Sequence, residues 1–198
     1  YAYFDSEEVH LNNVHILDEA LKEEKGVILV SGHFGSFHKL FVAMAKNGYK
    51  NIAGISYKQN NREASRFFLE LRKPYISNEM HKGGPSSEVK KSLQNNEILI
   101  LLSDQDAGKK GVFVNFFNKP SSTPSGAARY NQTVGSPLIF FSMVKINNHH
   151  EANFERIDTT NMSIEDTVQK YTSMLEQRIR KYPEQYFWPH KRWKTKPQ

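Results

Sequence analysis

Cysteine is missing from this chain of 198 residues, which excludes disulfides, a thiolate zinc site and a cysteine nucleophile. Long apolar runs are missing as well. The most apolar stretches are Val27–Val30, Ile98–Leu102 and Leu138–Phe141, all of strand length and far below the roughly 20 residues a bilayer-crossing helix needs. No secretory signal, internal repeat, low-complexity tract or dividing linker is visible, so residues 1–198 read as a single domain. Acidic residues are the minority, 21 against 27 Lys+Arg, leaving a net charge of +6. That surplus suggests an anionic partner: a phosphorylated lipid, an anionic membrane face, an acidic carrier protein or nucleic acid. Nucleic acid is the weakest of these, because no recognised binding motif accompanies the charge. The composition, 38% hydrophobic and 24% charged, excludes a disordered or collagen-like chain and provides for a buried core.

Apolar strand-like runs alternate with helix-like segments, which predicts an α/β layered fold with a central, mostly parallel but mixed sheet flanked by helices. Val9, Leu17, Ala20 and Leu21 follow a loosely helical pattern that ends at Gly26. Gly26–Ser31 and Glu97–Ser103 read as buried strands, and Ile52–Ser56 as a shorter one. Helices are predicted over Ser36–Lys46, Arg62–Arg72 (stopped by Pro74) and Pro124–Thr133, with another opening at Gly83-Gly84-Pro85 and running through Leu93. Val112–Phe117 reads as a short aromatic strand. Leu138–Ile146 and Ala152–Ile157 read as a hairpin around Asn147-Asn148. Ser163, with Asp166 three positions on, caps a last long helix to Lys181. The remaining tail, from Tyr182, holds both tryptophans and much basic charge.

Open parallel sheets place ligands beyond the carboxyl ends of their strands. Two polar clusters occupy that position: Ser31-Gly-His33-Phe-Gly-Ser-Phe-His38 and Ser103-Asp104-Gln-Asp106-Ala-Gly108. If the preceding strands are parallel neighbours, His33 and Asp104 meet at one sheet edge. A carboxylate on one imidazole nitrogen then fixes the tautomer and stabilises the cation formed as the other nitrogen takes a proton. Gly32 and Gly35 allow close backbone approach, and a helix starting near Ser36 would offer N–H groups to an oxyanion. Taken alone, the same residues fit a loop histidine bonded to backbone and aspartates that cap a turn. Strand alternation would point Asp104 and Asp106 the same way.

The stretch Gly26-Val-Ile-Leu-Val-Ser-Gly-His33-Phe-Gly-Ser-Phe resembles the catalytic-histidine block of the late lipid A acyltransferases, within the wider lysophospholipid acyltransferase superfamily. Asp104-Gln-Asp106-Ala-Gly, Val112–Phe117 and Pro120-Ser-Ser-Thr123-Pro-Ser-Gly126 resemble the block that follows. Tyr182-Pro-Glu-Gln-Tyr-Phe-Trp188-Pro-His-Lys-Arg192-Trp193-Lys resembles the family's C-terminal signature. Four blocks in order cover nearly the whole chain. The resemblance implies transfer of a fatty acyl group, not an aminoacyl group, from acyl carrier protein or coenzyme A to a hydroxyl of a lipid A-type glycolipid. It implies no cofactor beyond that thioester, no metal, and a place on the cytoplasmic face of the bacterial inner membrane. Family members usually carry a membrane-spanning helix ahead of the domain, and residues 1–198 include none. His33 is implied as general base, with Asp104 or Asp106 as its orienting carboxylate. The family places Glu or Asp five residues after the histidine, where this chain has His38. That departure leaves three further readings: an attenuated site, N-acyl or aminoacyl transfer to a lipid or secondary-metabolite acceptor, and a degenerate lipid-binding domain.

Gly35, Ser36 and His38 are candidate oxyanion or substrate contacts. Arg72, near a position resembling a headgroup contact, joins Lys110, Thr123 and Gly126 as acceptor-binding candidates; arginine suits phosphate through its bidentate fork. Phe34, Phe37 and Phe116 are candidates for an acyl groove, against the plain alternative of ordinary core. The basic tail with its tryptophans suits an anionic membrane surface, against the alternative of tryptophans packed on the domain. His33 and His38 are five apart and His149-His150 falls in a turn, so no metal site is expected.

Overall fold

The computed structural model describes residues 8–56, 63, 66, 73–81 and 83–197. Nearly all of the helix expected over Arg62–Arg72, including Arg62 and Arg72 themselves, lies outside the described residues. Along the described chain come β1 (Val9–Asn12), α1 (His15–Leu21), β2 (Val27–Ser31), α2 (Lys39–Lys46), β3 (Ile52–Ser56), β4 (Asn78–His81), α3 (Ser86–Gln94) and β5 (Ile98–Leu102). After them follow β6 (Val112–Phe116), β7 (Lys119–Thr123), α4 (Gly126–Val134), β8 (Leu138–Ile146), β9 (His149–Arg156) and α5 (Ile164–Lys181).

Seven strands form one sheet in the order β1-β9-β8-β2-β5-β3-β4. All neighbours are parallel except the β8–β9 hairpin, which turns at Asn147-Asn148 as expected. Strand β2 lies at the centre and is buried throughout. Its side chains divide by the period of two that a pleated strand imposes. Ile28 and Val30 join a core with Val89 and Leu93 of α3, Ala127 and Ala128 of α4, and Val168, Leu175 and Ile179 of α5. Val27 and Leu29 face the other way, into a core with Leu17 and Ala20 of α1 and Leu40 and Met44 of α2. Both faces are therefore covered, which is why β2 and β5 read as unbroken apolar runs.

Two local expectations are corrected, and two strands come without a sequence signal. Val9 does not belong to a helix: Val9–Asn12 pairs with β9 at the sheet edge, and α1 begins only at His15. The helix expected from Ser36 begins at Lys39, because residues 35–38 form a turn held by the Lys39 N–H donating to the Ser36 carbonyl at 2.8 Å. Strands β4 and β7 were not legible, since Asn78–His81 and Lys119–Thr123 carry little β-forming character. Strand β7 exists because Phe117 and Asn118 both adopt positive φ, 51° and 57°, as a tight two-residue hairpin turn requires. The capping box at Ser163 and Asp166 is present as expected.

Candidate active site

Strands β2 and β5 are parallel and in register from Val27 opposite Ile98 to Ser31 opposite Leu102. Continuing that register two residues past the strands places His33 opposite Asp104. The Asp104 carboxylate takes both hydrogen bonds that His33 offers it. Oδ2 accepts the His33 backbone N–H at 2.9 Å, and Oδ1 accepts Nδ1–H of the ring at 2.7 Å. Asp104 is 4% exposed, whereas the His33 side chain is 26% exposed. Because Nδ1 is held from the buried side, Nε2 is the nitrogen left for chemistry. Gly32 makes the approach possible: a Cβ there would lie 2.9 Å from Cβ of Asp104 and 2.6 Å from Leu175, so a larger residue would push Asp104 aside.

The histidine loop is also gripped from the C-terminal tail. Phe34 and Tyr186 form an antiparallel bridge. The Gly35 N–H donates to the Gln185 carbonyl at 2.7 Å, and the Phe187 N–H donates to the His33 carbonyl at 3.1 Å. Gln185 is fixed in turn by both polar ends of its amide, which accept from the Lys145 N–H at 2.8 Å and donate to the Lys145 carbonyl at 2.9 Å. In the sequence this tail reads as a family signature, with no site role visible for Gln185, Tyr186 or Arg192. The signal available was one arginine set among aromatic residues.

Several candidates sit elsewhere than expected. Asp106 does not reach His33. Its carboxylate accepts from Thr195, backbone and hydroxyl, and from the Gly108 N–H, while its own N–H donates to Nε2 of His190 at 2.8 Å. Partial burial pushes its pKa up, but the Thr195 and Gly108 hydrogen bonds and the Arg192 charge outweigh this, and the net shift is downward. Asp106 therefore fastens the tail. Gly35 cannot offer its N–H to an oxyanion, because Gln185 already accepts it. Thr123 is fully buried, and its hydroxyl accepts from Arg192 and donates to the Ser121 carbonyl. Phe34 and Phe116 are core residues, at 1% and 0% exposed; Phe37 is half-buried and meets the His33 ring edge-on at 5.3 Å. Lys110 is exposed on a single 3-10 turn, and Gly126 opens α4. No hydrogen bond or ion pair among the described residues links either to His33.

His38 caps α2 on the open side. Phe37 stands between it and His33, touching both rings edge-on. Partial desolvation, then the nearby Lys39 and His150, lower the His38 pKa, which favours the neutral ring. Among the described residues, the one carboxylate on His33 is Asp104. Around the mouth, Phe187 is 50% exposed with its ring 6.3 Å from that of His33. Trp188 is 47% exposed and lies edge-on to Tyr186 at 4.9 Å. Trp193 instead stacks on Phe116 at 5.6 Å, so the two tryptophans have different fates.

A family model for bacterial lipid A biosynthesis acyltransferases matches residues 5–195. The chain belongs to that family. A search of curated proteins finds no match. This member of the lipid A acyltransferase family is an acyltransferase, and its family's acceptors are of lipid A type. In the acyltransferase, no helix among the described residues is long and apolar enough to cross a membrane.

Proposed function

We propose that the acyltransferase moves a fatty acyl chain from a carrier thioester, on acyl carrier protein or coenzyme A, to a hydroxyl of a lipid A-type glycolipid, with His33 as general base. The observation that carries this reading is the double grip of Asp104 on His33, which leaves Nε2 at the open side of the site. The acceptor hydroxyl gives its proton to Nε2 as its oxygen attacks the thioester carbonyl. Asp104 holds the resulting imidazolium. The tetrahedral intermediate collapses, the carbon–sulfur bond breaks, and the imidazolium returns the proton to the departing thiolate. With Gly35 engaged by Gln185, the Ser36 N–H is the candidate donor to the oxyanion. The reaction needs no group beyond the thioester. Phe37 and Phe187 flank the ring and suit an acyl chain. The exposed Phe187 and Trp188, with Lys181, Lys191, Lys194 and Lys196, suit the anionic cytoplasmic face of the bacterial inner membrane.

The test is incubation with acyl carrier protein thioesters and a bacterial lipid extract, read by mass spectrometry. His33→Ala is expected to lose product formation by about 1,000-fold or more. Product at the wild-type rate from that variant would overturn the reading.

His38→Glu supplies the acid that the family pattern has at this position. Since Asp104 already provides the charge and His38 does not touch His33, the rate is expected to change no more than about threefold, as for an exposed charge acting through solvent. A large gain in the same assay would show that the natural site lacks a charge it needs.

A further inference from the structure

Asp104 is a buried anion held by two N–H groups of His33 and by the Tyr186 side chain, none of which carries a fixed positive charge. No lysine or arginine among the described residues makes an ion pair with it. A buried carboxylate in that position needs a compensating charge, because desolvation penalises the ionised form. A second buried charge lies beside the loop that follows Asp104: the Ser122 carbonyl that accepts from Arg192 also accepts the Ala107 N–H at 3.2 Å. Arg192 is 2% exposed. Its guanidinium donates to the Ser122 carbonyl at 2.7 Å and to Oγ1 of Thr123 at 2.5 Å, and lies over the Phe116 ring at 5.3 Å. Its Nε–H is buried with no partner, and no carboxylate among the described residues stands within ion-pair distance. Phe116 packs against Tyr186 at 6.1 Å, and the Tyr186 side chain in turn bonds to Asp104, so two rings connect the charges. Each charge thus has direct partners that do not balance it.

We propose that Arg192 is the buried counter-charge of the His33–Asp104 pair, a positioning residue that acts on the reaction through Asp104. This rests on the reading of His33 as the base. The titratable groups around Arg192 are Asp104 at the end of β5, Asp106 in the following loop, Tyr171 on α5 and Tyr186 on the tail. His190, two residues away, accepts the Asp106 N–H. Asp106 has Thr195 and Gly108 for its own support and is only partly buried, so Asp104 depends more on Arg192. Tyr186 stays a neutral phenol, its pKa pushed up by burial and by the Asp104 charge. Removing the guanidinium charge makes proton uptake easier for every group in the pocket. Protonation of the pair, which disables the base, then occurs at higher pH.

The experiment follows acyl transfer against pH for the wild type, Arg192→Gln and Arg192→Lys. In parallel, the His33 ring nitrogens are titrated by NMR on labelled protein, which requires no turnover. Arg192→Gln is expected to move the acid limb of the rate profile, and the ring titration, up by about one pH unit, lowering kcat more than it raises KM. Arg192→Lys keeps the charge and is expected to return both to within a few tenths of the wild type. Thr123→Val removes one hydrogen bond of the guanidinium without touching charge, and is expected to leave the acid limb in place even if stability falls. If Arg192→Gln does not fold, Arg192→Lys and Thr123→Val carry the test. An unmoved ring titration in a folded Arg192→Gln, a lysine variant that titrates unlike the wild type, or a Thr123→Val limb displaced by about one unit would each overturn the proposal. Product from His33→Ala would sink the base assignment separately, with the coupling of Arg192 to the His33 ring still measurable.

Discussion

Asp104→Asn lowers kcat by about 1,000-fold or more, with a much smaller change in KM. The reason is a count of acceptors. The carboxylate accepts twice, from the His33 backbone at 2.9 Å and from Nδ1–H at 2.7 Å. An amide has one oxygen and one NH2 group. If the oxygen keeps the backbone N–H, the NH2 faces Nδ1. That nitrogen must then be the acceptor, the ring proton moves to Nε2, and the base is blocked. If the oxygen keeps Nδ1–H, the NH2 opposes the backbone N–H, and the turn that carries His33 is pushed away from β5. In either arrangement the imidazolium loses the fixed negative charge that would stabilise it in the transition state. Because the position is buried, the mismatch also costs about 1–3 kcal/mol of stability. Rates with a fixed acyl thioester, together with the nitrogen shifts of the His33 ring, check this. The expected signature is a slow but folded enzyme whose ring carries its proton on Nε2. Turnover at the wild-type rate would remove Asp104 from the chemistry.

That His33 and Asp104 meet was legible in the sequence because each follows an apolar run of strand length, and two buried parallel strands bring the residues after them to the same edge. The separation of 71 residues is the same for the Val27–Ile98 register and the His33–Asp104 bond. Choosing Asp104 over Asp106 was not possible from alternation. Strand β5 ends at Leu102, so neither residue lies on a pleated strand, and the choice is made by the tail, which claims Asp106 through Thr195 and His190. Phe34 and Phe116 looked like groove residues because aromatic residues near a catalytic loop have no periodicity that separates lining from core. Burial decides it, and burial here depends on Tyr186 and Trp193, 70 or more residues away. The same remoteness hid Arg192, whose hydrogen-bond partners lie on β7, a strand with almost no β-forming residues. Local pattern reveals the sheet and its open edge. It does not reveal which distant segment closes over that edge.

Gly35→Ala tests that closure from the backbone side. Gly35 has φ +58°, and a Cβ built there would lie 1.7 Å from the Met143 carbonyl oxygen. Met143 sits in β8, a buried strand between β2 and β9, so the oxygen cannot retreat without moving the sheet. The histidine loop must move instead, against the Gly35–Gln185 and His33–Phe187 backbone bonds and the Asp104 grip. Stability is expected to fall by about 2–4 kcal/mol. Activity is expected to fall at least about 100-fold, since a displacement near 1 Å is enough to spoil attack geometry. Gly48→Ala separates the two causes. Gly48 has φ +91° but nothing within 4 Å of the new Cβ, so it carries the conformational penalty alone, about 1–2 kcal/mol, and leaves the rate unchanged. Denaturant midpoints and kcat measured on both variants make the comparison. If Gly35→Ala merely matches Gly48→Ala, the loop has room to spare. The tail would then be a loose cover, not the clamp that sets His33 against Asp104.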